Sequence, residues 1–455
     1  MRFITTFILL FCLLPALASA QSLDSVAVAT RTVAIEGARI VQKPGQVIRR
    51  GNIVIRDGLI TAVGPSVAIP SDAARIDGDS LTVYAGFIDG LSHAGMPTPP
   101  KPPSNTGSQK VSRANPPNDR AGIQPARTAL SQLDASLKSV AALRKAGFTV
   151  AHVVPQGRML PGKGAIVLLA GKVPEAMILQ QDVSLFAQLT GAQGVYPATP
   201  MGVMAKMRQL YREAARRKQL EAQYASSSAS MPRPEFDAAH YAFFPVLDGK
   251  QPIYMHTTGP LDIYRALRLK TNLGYPLVLS GLYGGFESVD LLLDASVPLF
   301  LTLKMPEAPK EKVMQDSLEV DISNYDPSLH VTDHTNTDNE RINLDTRRRI
   351  FYNEYLATAA TLYDAGLNFG FTTKDVKTTD IHPNLRKMVN NGLSEDAALA
   401  ALTTVPAKIL GLSRRVGTVE KGKMGNLVVT NGPLFEEDTK ILHVFVDGQR
   451  FTYNN

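Results

Sequence analysis

Tyr84-Ala85-Gly86-Phe87-Ile88-Asp89-Gly90-Leu91-Ser92-His93 is the stretch of this 455-residue chain that decides its fold. Its apolar residues predict a buried strand, and Ser92 and His93 place polar side chains where that strand ends. Further along, residues 247–303 alternate short apolar runs with helical segments. This spacing is typical of βαβ units, which build a parallel sheet. Polar residues that end such strands are therefore the first candidates for a functional site.

The two ends of the chain have a different pattern from its middle. Residues 33–41 and 51–64 are short alternating apolar runs, and Asp57-Gly58 in the second is a hairpin signal. Residues 425–451 repeat this pattern. We therefore expect one small β-domain that is built from both ends of the chain.

The first 20 residues have the composition of a targeting segment. Arg2 supplies a positive charge, residues 7–17 supply a short apolar run, and Ala18-Ser19-Ala20 is a small-residue cleavage site. We expect cleavage near Ala20 and a periplasmic or extracellular mature protein without a membrane span. Cys12, the only cysteine, lies inside this segment. The mature chain would then have no cysteine for disulfides or for thiolate ligands.

The charge of the chain does not favour a nucleic-acid partner. The net charge is +7, but lysines and arginines are scattered, with short clusters only at residues 216–218 and 347–349. A nucleic-acid binder concentrates its positive charge on one face or motif. Hydrophobic residues make up 44% and charged residues 20%, which is a globular balance. We expect a small-molecule substrate or ligand instead.

The opening stretch resembles the first barrel strand of the amidohydrolase superfamily, whose usual form is Pro-Gly-Phe-Ile-Asp-x-His-x-His. His93 stands on the second histidine of that pattern, and Leu91 stands on the first. Residues 397–412 resemble the helix and Asn-Pro-Ala-x-x-Leu-Gly-like turn of the family, with Val405 on the asparagine. Residues 417–429 resemble its Gly-x-Ile-x-x-Gly-Lys-x-Ala-Asp-Leu-Val segment. Within the superfamily, the chain is similar to exported, imidazolonepropionase-like amidohydrolases.

This resemblance implies an α/β fold with two parts. A distorted (β/α)8 barrel is expected over residues 81–411, and a small β-sandwich is expected from residues 21–80 and 412–455. Such barrels do their chemistry at the carboxyl ends of the strands. The proline-rich segment Ala94 to Pro125 would leave from that face, either as a lid or as a solvated insertion.

The family holds a catalytic metal with His-x-His on strand 1, a carboxylated lysine or glutamate on strand 4 and single histidines on strands 5 and 6. An aspartate on strand 8 handles the proton. The resemblance therefore implies His93 and His256 as metal ligands. Lys374 stands on the aspartate of strand 8, with Asp375 one residue late, and these two are the candidate catalytic residues.

Several of the family's ligands are replaced, so we expect a degenerate metal site. Leu91 replaces the first histidine, and Ser280 stands on the strand 6 histidine. Lys250 is the nearest candidate for strand 4. The charge of Lys374 would repel a cation, although a one-metal site of His93, His256 and Asp375 stays open. The expected cofactor is one divalent metal, with zinc as the first choice. The alternative is that the protein holds no metal.

Three functions are compatible with these residues. The first is a hydrolase of non-peptide carbon–nitrogen bonds, such as those of cyclic amides, with an atypical metal centre. The second is a catalytically lapsed barrel that binds a small ligand, in which His93 and His256 are hydrogen-bonded relics. The third is a partner subunit, or half, of an active homologous amidohydrolase.

Overall fold

The computed structural model describes residues 32–99, 112–171, 173–309 and 337–453. The expected targeting segment, residues 1–20, lies outside these ranges, as does part of the proline-rich segment, residues 100–111. The described chain forms two eight-stranded sheets. One contains the strands of both chain ends, and the other curves into the barrel.

The strands are numbered in chain order across both sheets. They are β1 (Thr32–Lys43), β2 (Gln46–Arg56), β3 (Leu59–Gly64), β4 (Ala74–Asp77), β5 (Thr82–Ala85), β6 (Phe87–Ser92), β7 (Phe148–Val153), β8 (Gly162–Leu168), β9 (Ile178–Gln188), β10 (Ile253–His256), β11 (Leu277–Leu282), β12 (Leu299–Thr302), β13 (Phe369–Thr372), β14 (Leu427–Thr430), β15 (Ile441–Val446) and β16 (Gln449–Thr452).

Most of the helices connect barrel strands. They are α1 (Asn118–Ala121), α2 (Lys138–Lys145), α3 (Pro174–Met177), α4 (Pro200–Ser226), α5 (Ala238–Tyr241), α6 (Phe244–Leu247), α7 (Pro260–Leu273), α8 (Val289–Ala295), α9 (Thr337–Asp364), α10 (Ile381–Asn390), α11 (Glu395–Leu402) and α12 (Thr404–Ile409). Short 3-10 turns occur at Leu130–Gln132, Ser228–Ser230, Gly285–Ser288 and Thr378–Asp380. Within the described ranges, none of the helices combines the length and the apolar character that a membrane span needs.

The terminal sheet has the strand order β16-β15-β14-β5-β1-β2-β3, with β4 paired to β1. Strand β5 joins the two chain ends, because it pairs with β1 on one side and with β14 on the other. The expectation of a separate β-domain from both ends is confirmed. The boundaries at residues 80 and 411 stay predictions; β5 lies just beyond the first of them.

The barrel sheet runs from β6 to β13 in chain order. Strand β8 is antiparallel to both of its neighbours, and the other pairs in the sheet are parallel. The backbone N–H of Lys374 donates to the Leu91 carbonyl over 3.2 Å, which brings the end of β13 against β6. The prediction of a distorted (β/α)8 barrel is thereby confirmed, with β8 as its main irregularity.

The stretch from Tyr84 to His93 is two strands rather than the single one expected. The chain passes from β5 in the terminal sheet to β6 in the barrel at Gly86. The Gly86 N–H donates to the Asn426 carbonyl over 2.8 Å. A Cβ at Gly86 would lie 2.3 Å from Oγ1 of Thr149, so glycine lets the chain pass close to β7 as it enters the barrel.

Aromatic and polar side chains fill the barrel interior. A Cβ at Gly90 would lie 2.0 Å from the Phe300 ring, so that glycine makes room for the ring in the centre. His152 on β7 meets Tyr254 on β10 edge to face, with ring centroids 4.5 Å apart. Its Nδ1 donates to the Gly90 carbonyl over 3.0 Å, and its Nε2 accepts from Oγ of Ser184 over 2.8 Å. We call His152, Ser184, Tyr254 and Gly90 the interior cluster.

Candidate functional site

The four residues singled out in the sequence lie together at the carboxyl ends of the barrel strands. His93 follows β6, His256 is the last residue of β10, and Lys374 and Asp375 follow β13. Parallel strands present these ends at one face, which is where barrels of this type place their sites. We call His93, His256, Lys374 and Asp375 the mouth cluster.

Lys374 is at the centre of the mouth cluster. Its Nζ donates to Nε2 of His256 over 3.2 Å and to Oδ2 of Asp375 over 2.5 Å. The lysine is only 8% exposed. Nε2 of His256 and Oδ2 of Asp375 are 3.7 Å apart, so the ammonium and its two acceptors form a close triangle. Because His256 accepts at Nε2, its own proton is on Nδ1.

Backbone geometry explains why both Lys374 and Asp375 face the site. Two consecutive residues of a regular strand point to opposite sides. Strand β13 ends at Thr372, and Asp375 has φ +62°, in the left-handed region that aspartate tolerates better than most residues. The chain therefore turns directly after the strand and returns the second side chain to the first.

His93 is held by one ring nitrogen and borders the site with the other. Its Nδ1 donates to the Val154 carbonyl over 2.9 Å, which leaves Nε2 as an acceptor. Burial lowers the pKa of His93 to about 4, and the charge of Lys374 contributes in the same direction. His93 is therefore neutral at pH 7, with its tautomer set by the Val154 carbonyl.

Burial also lowers the pKa of His256, to about 3, and the charge of Lys374 again adds to the effect while Asp375 opposes it. For Asp375, burial is the largest single influence and raises the pKa. The hydrogen bond and charge of Lys374 together outweigh burial, so the pKa of Asp375 is lowered overall. At neutral pH the mouth cluster is an ammonium–carboxylate pair beside two neutral imidazoles.

A cavity of about 670 Å³ adjoins the mouth cluster. His93, Lys374 and Asp375 are in its wall, and the start of α2 also lines it. The side chain of Asp375 is 56% exposed. The remaining lining residues are mostly small or hydroxylated: Ser92, Ala94, Met96, Pro97, Thr98, Ser136, Leu137, Lys138, Ser139, Leu143, Gln156, Thr373, Val376 and Thr378.

Asp89 is a structural part of the site that the sequence reasoning missed. It is fully buried and accepts from the N–H of Thr373 over 3.0 Å, from the Thr373 hydroxyl, and from the N–H of Leu91 over 3.2 Å. Burial raises its pKa to about 7 against these hydrogen bonds. Asp89 thus binds β6 to Thr373, the residue that precedes Lys374. A charged residue within an apolar strand was the signal that could have found it.

The family's remaining ligand positions hold residues with other roles. Leu91 is fully buried in the core. In the sheet register His256 lies beside Gln188 on β9 and Ser280 on β11. Gln188 donates from Nε2 to the Gly157 carbonyl over 2.6 Å. Lys250 precedes β10 and so lies at the opposite end of the barrel; as a strand 4 ligand it was the wrong choice.

The residues of the mouth cluster do not fit a divalent cation. In the parts of the chain that the structure describes, there is no group of three or more His, Cys, Asp or Glu side chains that could hold a metal ion. Catalytic zinc normally has three protein ligands. Here the Lys374 ammonium is hydrogen-bonded to both His256 and Asp375, and its positive charge opposes a second cation between them.

Residues 310–451 match the model of the amidohydrolase family. Over this segment the chain is similar to the amidohydrolase family. The matched region contains β13, Lys374 and Asp375, together with both C-terminal segments in which the resemblance was found. No curated protein matches the chain. The imidazolonepropionase-like subtype stays a prediction.

Solved structures share the fold over nearly the whole chain. An amidohydrolase from Thermotoga maritima MSB8 superposes with a TM-score of 0.71 at 19% identity, covering 92% of this chain and 100% of that one. A putative prolidase from Bifidobacterium longum gives a TM-score of 0.52 at 17% identity, covering 92% and 94%. A Xaa-Pro dipeptidase with bound methionine gives 0.50 at 16% identity, covering 93% and 100%. At these identities the likeness concerns the fold alone.

Proposed function

We propose that this chain is a hydrolase of non-peptide carbon–nitrogen bonds in small molecules, and that its site works without a divalent metal between His256 and Asp375. The match of residues 310–451 to the amidohydrolase family model supports the reaction class. The observation that carries the proposal is the pairing of Lys374 with Asp375 in the wall of a cavity of about 670 Å³. A molecule bound in this cavity could therefore contact both the Lys374 ammonium and the half-exposed Asp375 carboxylate.

In the proposed reaction, the oxygen of a water molecule attacks the carbonyl carbon next to the nitrogen, and Asp375 takes one proton from that water. Lys374 stabilises the negative charge that develops on the carbonyl oxygen. Asp375 then gives the proton to the departing nitrogen as the carbon–nitrogen bond breaks. The products are a carboxylic acid and an amine, which stay in one molecule when the substrate is a cyclic amide.

Binding without turnover is the second candidate, and one observation favours it. The 2.5 Å hydrogen bond from Lys374 occupies one oxygen of Asp375, and the pKa of this carboxyl is lowered. A weaker base abstracts a proton from water less readily. The same cavity would then retain a small ligand that it does not convert.

The test is hydrolysis of a panel of small cyclic amides by the chelator-treated protein. We expect turnover that persists in chelator and falls by roughly 10²–10⁴ in Asp375→Asn, which removes the base. The matched control is Asp364→Asn, an exposed aspartate at the end of α9 whose replacement should leave turnover unchanged.

Two other results decide against the proposal. Turnover that survives in Asp375→Asn would show that Asp375 is not the base. Saturable calorimetric binding of panel members, without product formation, would establish the ligand-binding alternative.

We also propose export of the chain, on the composition of residues 1–20. The test is the amino-terminal sequence of the protein recovered from the cell envelope, for which a start at Gln21 is expected. An uncleaved chain in the cytosol would contradict it. A homologous partner subunit stays a prediction.

A further inference from the structure

We infer that the Lys374 ammonium is the resident cation of this site and takes the place of a divalent metal between His256 and Asp375. The inference concerns the same cavity as the proposed function but does not depend on turnover. Its test measures metal binding, so the proposed reaction can fail while the inference stands. Zinc bound by the wild type would overturn the inference and the metal-free part of the proposal, but not the reaction class.

The positions of three atoms carry this inference. Nε2 of His256 and Oδ2 of Asp375 are 3.7 Å apart, a separation that two ligands of one ion can have. Nζ of Lys374 is 3.2 Å from the first and 2.5 Å from the second. The ammonium therefore uses the same lone pair and the same carboxylate oxygen that a metal would use.

The charge of the mouth cluster is already balanced without a metal. Lys374 contributes one positive charge and Asp375 one negative charge. His93 donates from Nδ1 to the Val154 carbonyl, and His256 accepts at Nε2 from Lys374, so both rings are placed as acceptors towards the site. A divalent ion added here would meet the ammonium at hydrogen-bonding distance and be repelled by it, with one carboxylate of the mouth cluster to offset the added charge.

The surrounding structure holds Lys374 in this position. Its backbone N–H donates to the Leu91 carbonyl over 3.2 Å, and the preceding residue, Thr373, is bound to the buried Asp89 through both its N–H and its hydroxyl. The side chain is 7% exposed, so moving the ammonium to solvent would require it to leave both polar partners. The Lys374 ammonium is thus held in a fixed position at the carboxyl ends of the barrel strands.

The experiment compares Zn²⁺ and Co²⁺ binding by four forms of the full chain, purified without a histidine tag: wild type, Lys374→Ala, Lys374→Arg and Lys374→Ala/His256→Ala. Lys374→Ala removes the charge and leaves room for an ion. Lys374→Arg keeps a positive charge and is the matched control. Bound zinc is counted by mass spectrometry after dialysis, and Co²⁺ coordination is followed by visible absorption.

We expect zinc affinity to rise at least tenfold in Lys374→Ala, with about one equivalent bound. Wild type and Lys374→Arg should stay at background, and the double variant should lose the gain. Circular dichroism confirms that each form is folded. About one zinc bound by the wild type or by Lys374→Arg would overturn the inference. A folded Lys374→Ala protein with no gain in affinity would overturn it as well.

Discussion

The barrel contains two buried histidines whose surroundings differ in kind. His152 in the interior cluster has both ring nitrogens bound to neutral groups, a carbonyl and a hydroxyl. His256 in the mouth cluster accepts from an ammonium that is itself paired with a half-exposed carboxylate. Burial lowers the pKa of both, to about 4 for His152 and about 3 for His256. A depressed histidine pKa alone therefore does not identify the functional site; the charged partners and the cavity do.

The largest expected effect is on stability in the interior cluster. His152→Ala should lower the free energy of unfolding by about 3–5 kcal/mol, because it leaves a cavity and removes the partners of Gly90 and Ser184. His256→Ala should cost about half as much, since Lys374 keeps Asp375 and the adjoining cavity can admit water. Urea unfolding measures both. Equal losses would mean that the two clusters do not differ in their structural role.

Acid should destabilise both clusters. The pKa values of His93, His152 and His256 lie at about 4, 4 and 3 in the folded chain, below the value of 6.5 expected when unfolded. The unfolded state then binds more protons, so stability is present above pH 6.5 and is lost as pH falls towards 4.

Asp89 has the opposite effect. Burial raises its pKa to about 7 in the folded protein, so the folded protein is stabilised as the pH falls through that value. The three histidines lower the free energy of unfolding as the pH falls, and Asp89 raises it. We expect the free energy of unfolding to fall by about 2–4 kcal/mol in total between pH 6.5 and pH 5. Urea unfolding at a series of pH values measures it. A flat profile would contradict the neutral state of these imidazoles.

Two glycines allow each cluster to be disturbed separately. A Cβ at Gly164 would lie 2.4 Å from Nε2 of His152, and one at Gly281 would lie 2.4 Å from Nδ1 of His256. Each alanine variant should cost about 1–3 kcal/mol through overpacking, and Gly281 adds strain because its φ is +77°. Only Gly281→Ala should alter ligand binding or turnover, since it moves His256 away from Lys374. If Gly164→Ala reduced ligand binding or turnover as much as Gly281→Ala, the functional difference between the interior cluster and the mouth cluster would be contradicted.

The smallest expected effect concerns the aspartate that joins the first and last barrel strands. Asp89→Asn keeps the shape of the side chain and an acceptor for the Thr373 N–H. From pH 6 to pH 7 the variant should gain about 1 kcal/mol in stability over the wild type, since the folded wild type loses the Asp89 proton through a pKa of about 7 and then carries a buried charge. A difference that does not change with pH would place the carboxyl pKa elsewhere.

Local patterns in the sequence predicted the fold well. Alternating runs at both ends indicated the terminal sheet, and the βαβ spacing of residues 247–303 indicated parallel strands. The family resemblance supplied the barrel and His93, His256, Lys374 and Asp375, which the structure brings together. The antiparallel β8 was not predicted as a barrel strand, because strand direction depends on pairing partners that are distant in sequence.

By itself, the sequence determined which residue types reach the barrel mouth: two imidazoles, an ammonium and a carboxylate. Only the tertiary structure decided that both Lys374 and Asp375 face His256, because the left-handed turn at Asp375 brings the carboxylate back to the ammonium. It also decided that Tyr84–His93 divides at Gly86 between two sheets. Both outcomes depend on backbone direction and on contacts between residues far apart in the chain, which local spacing does not encode.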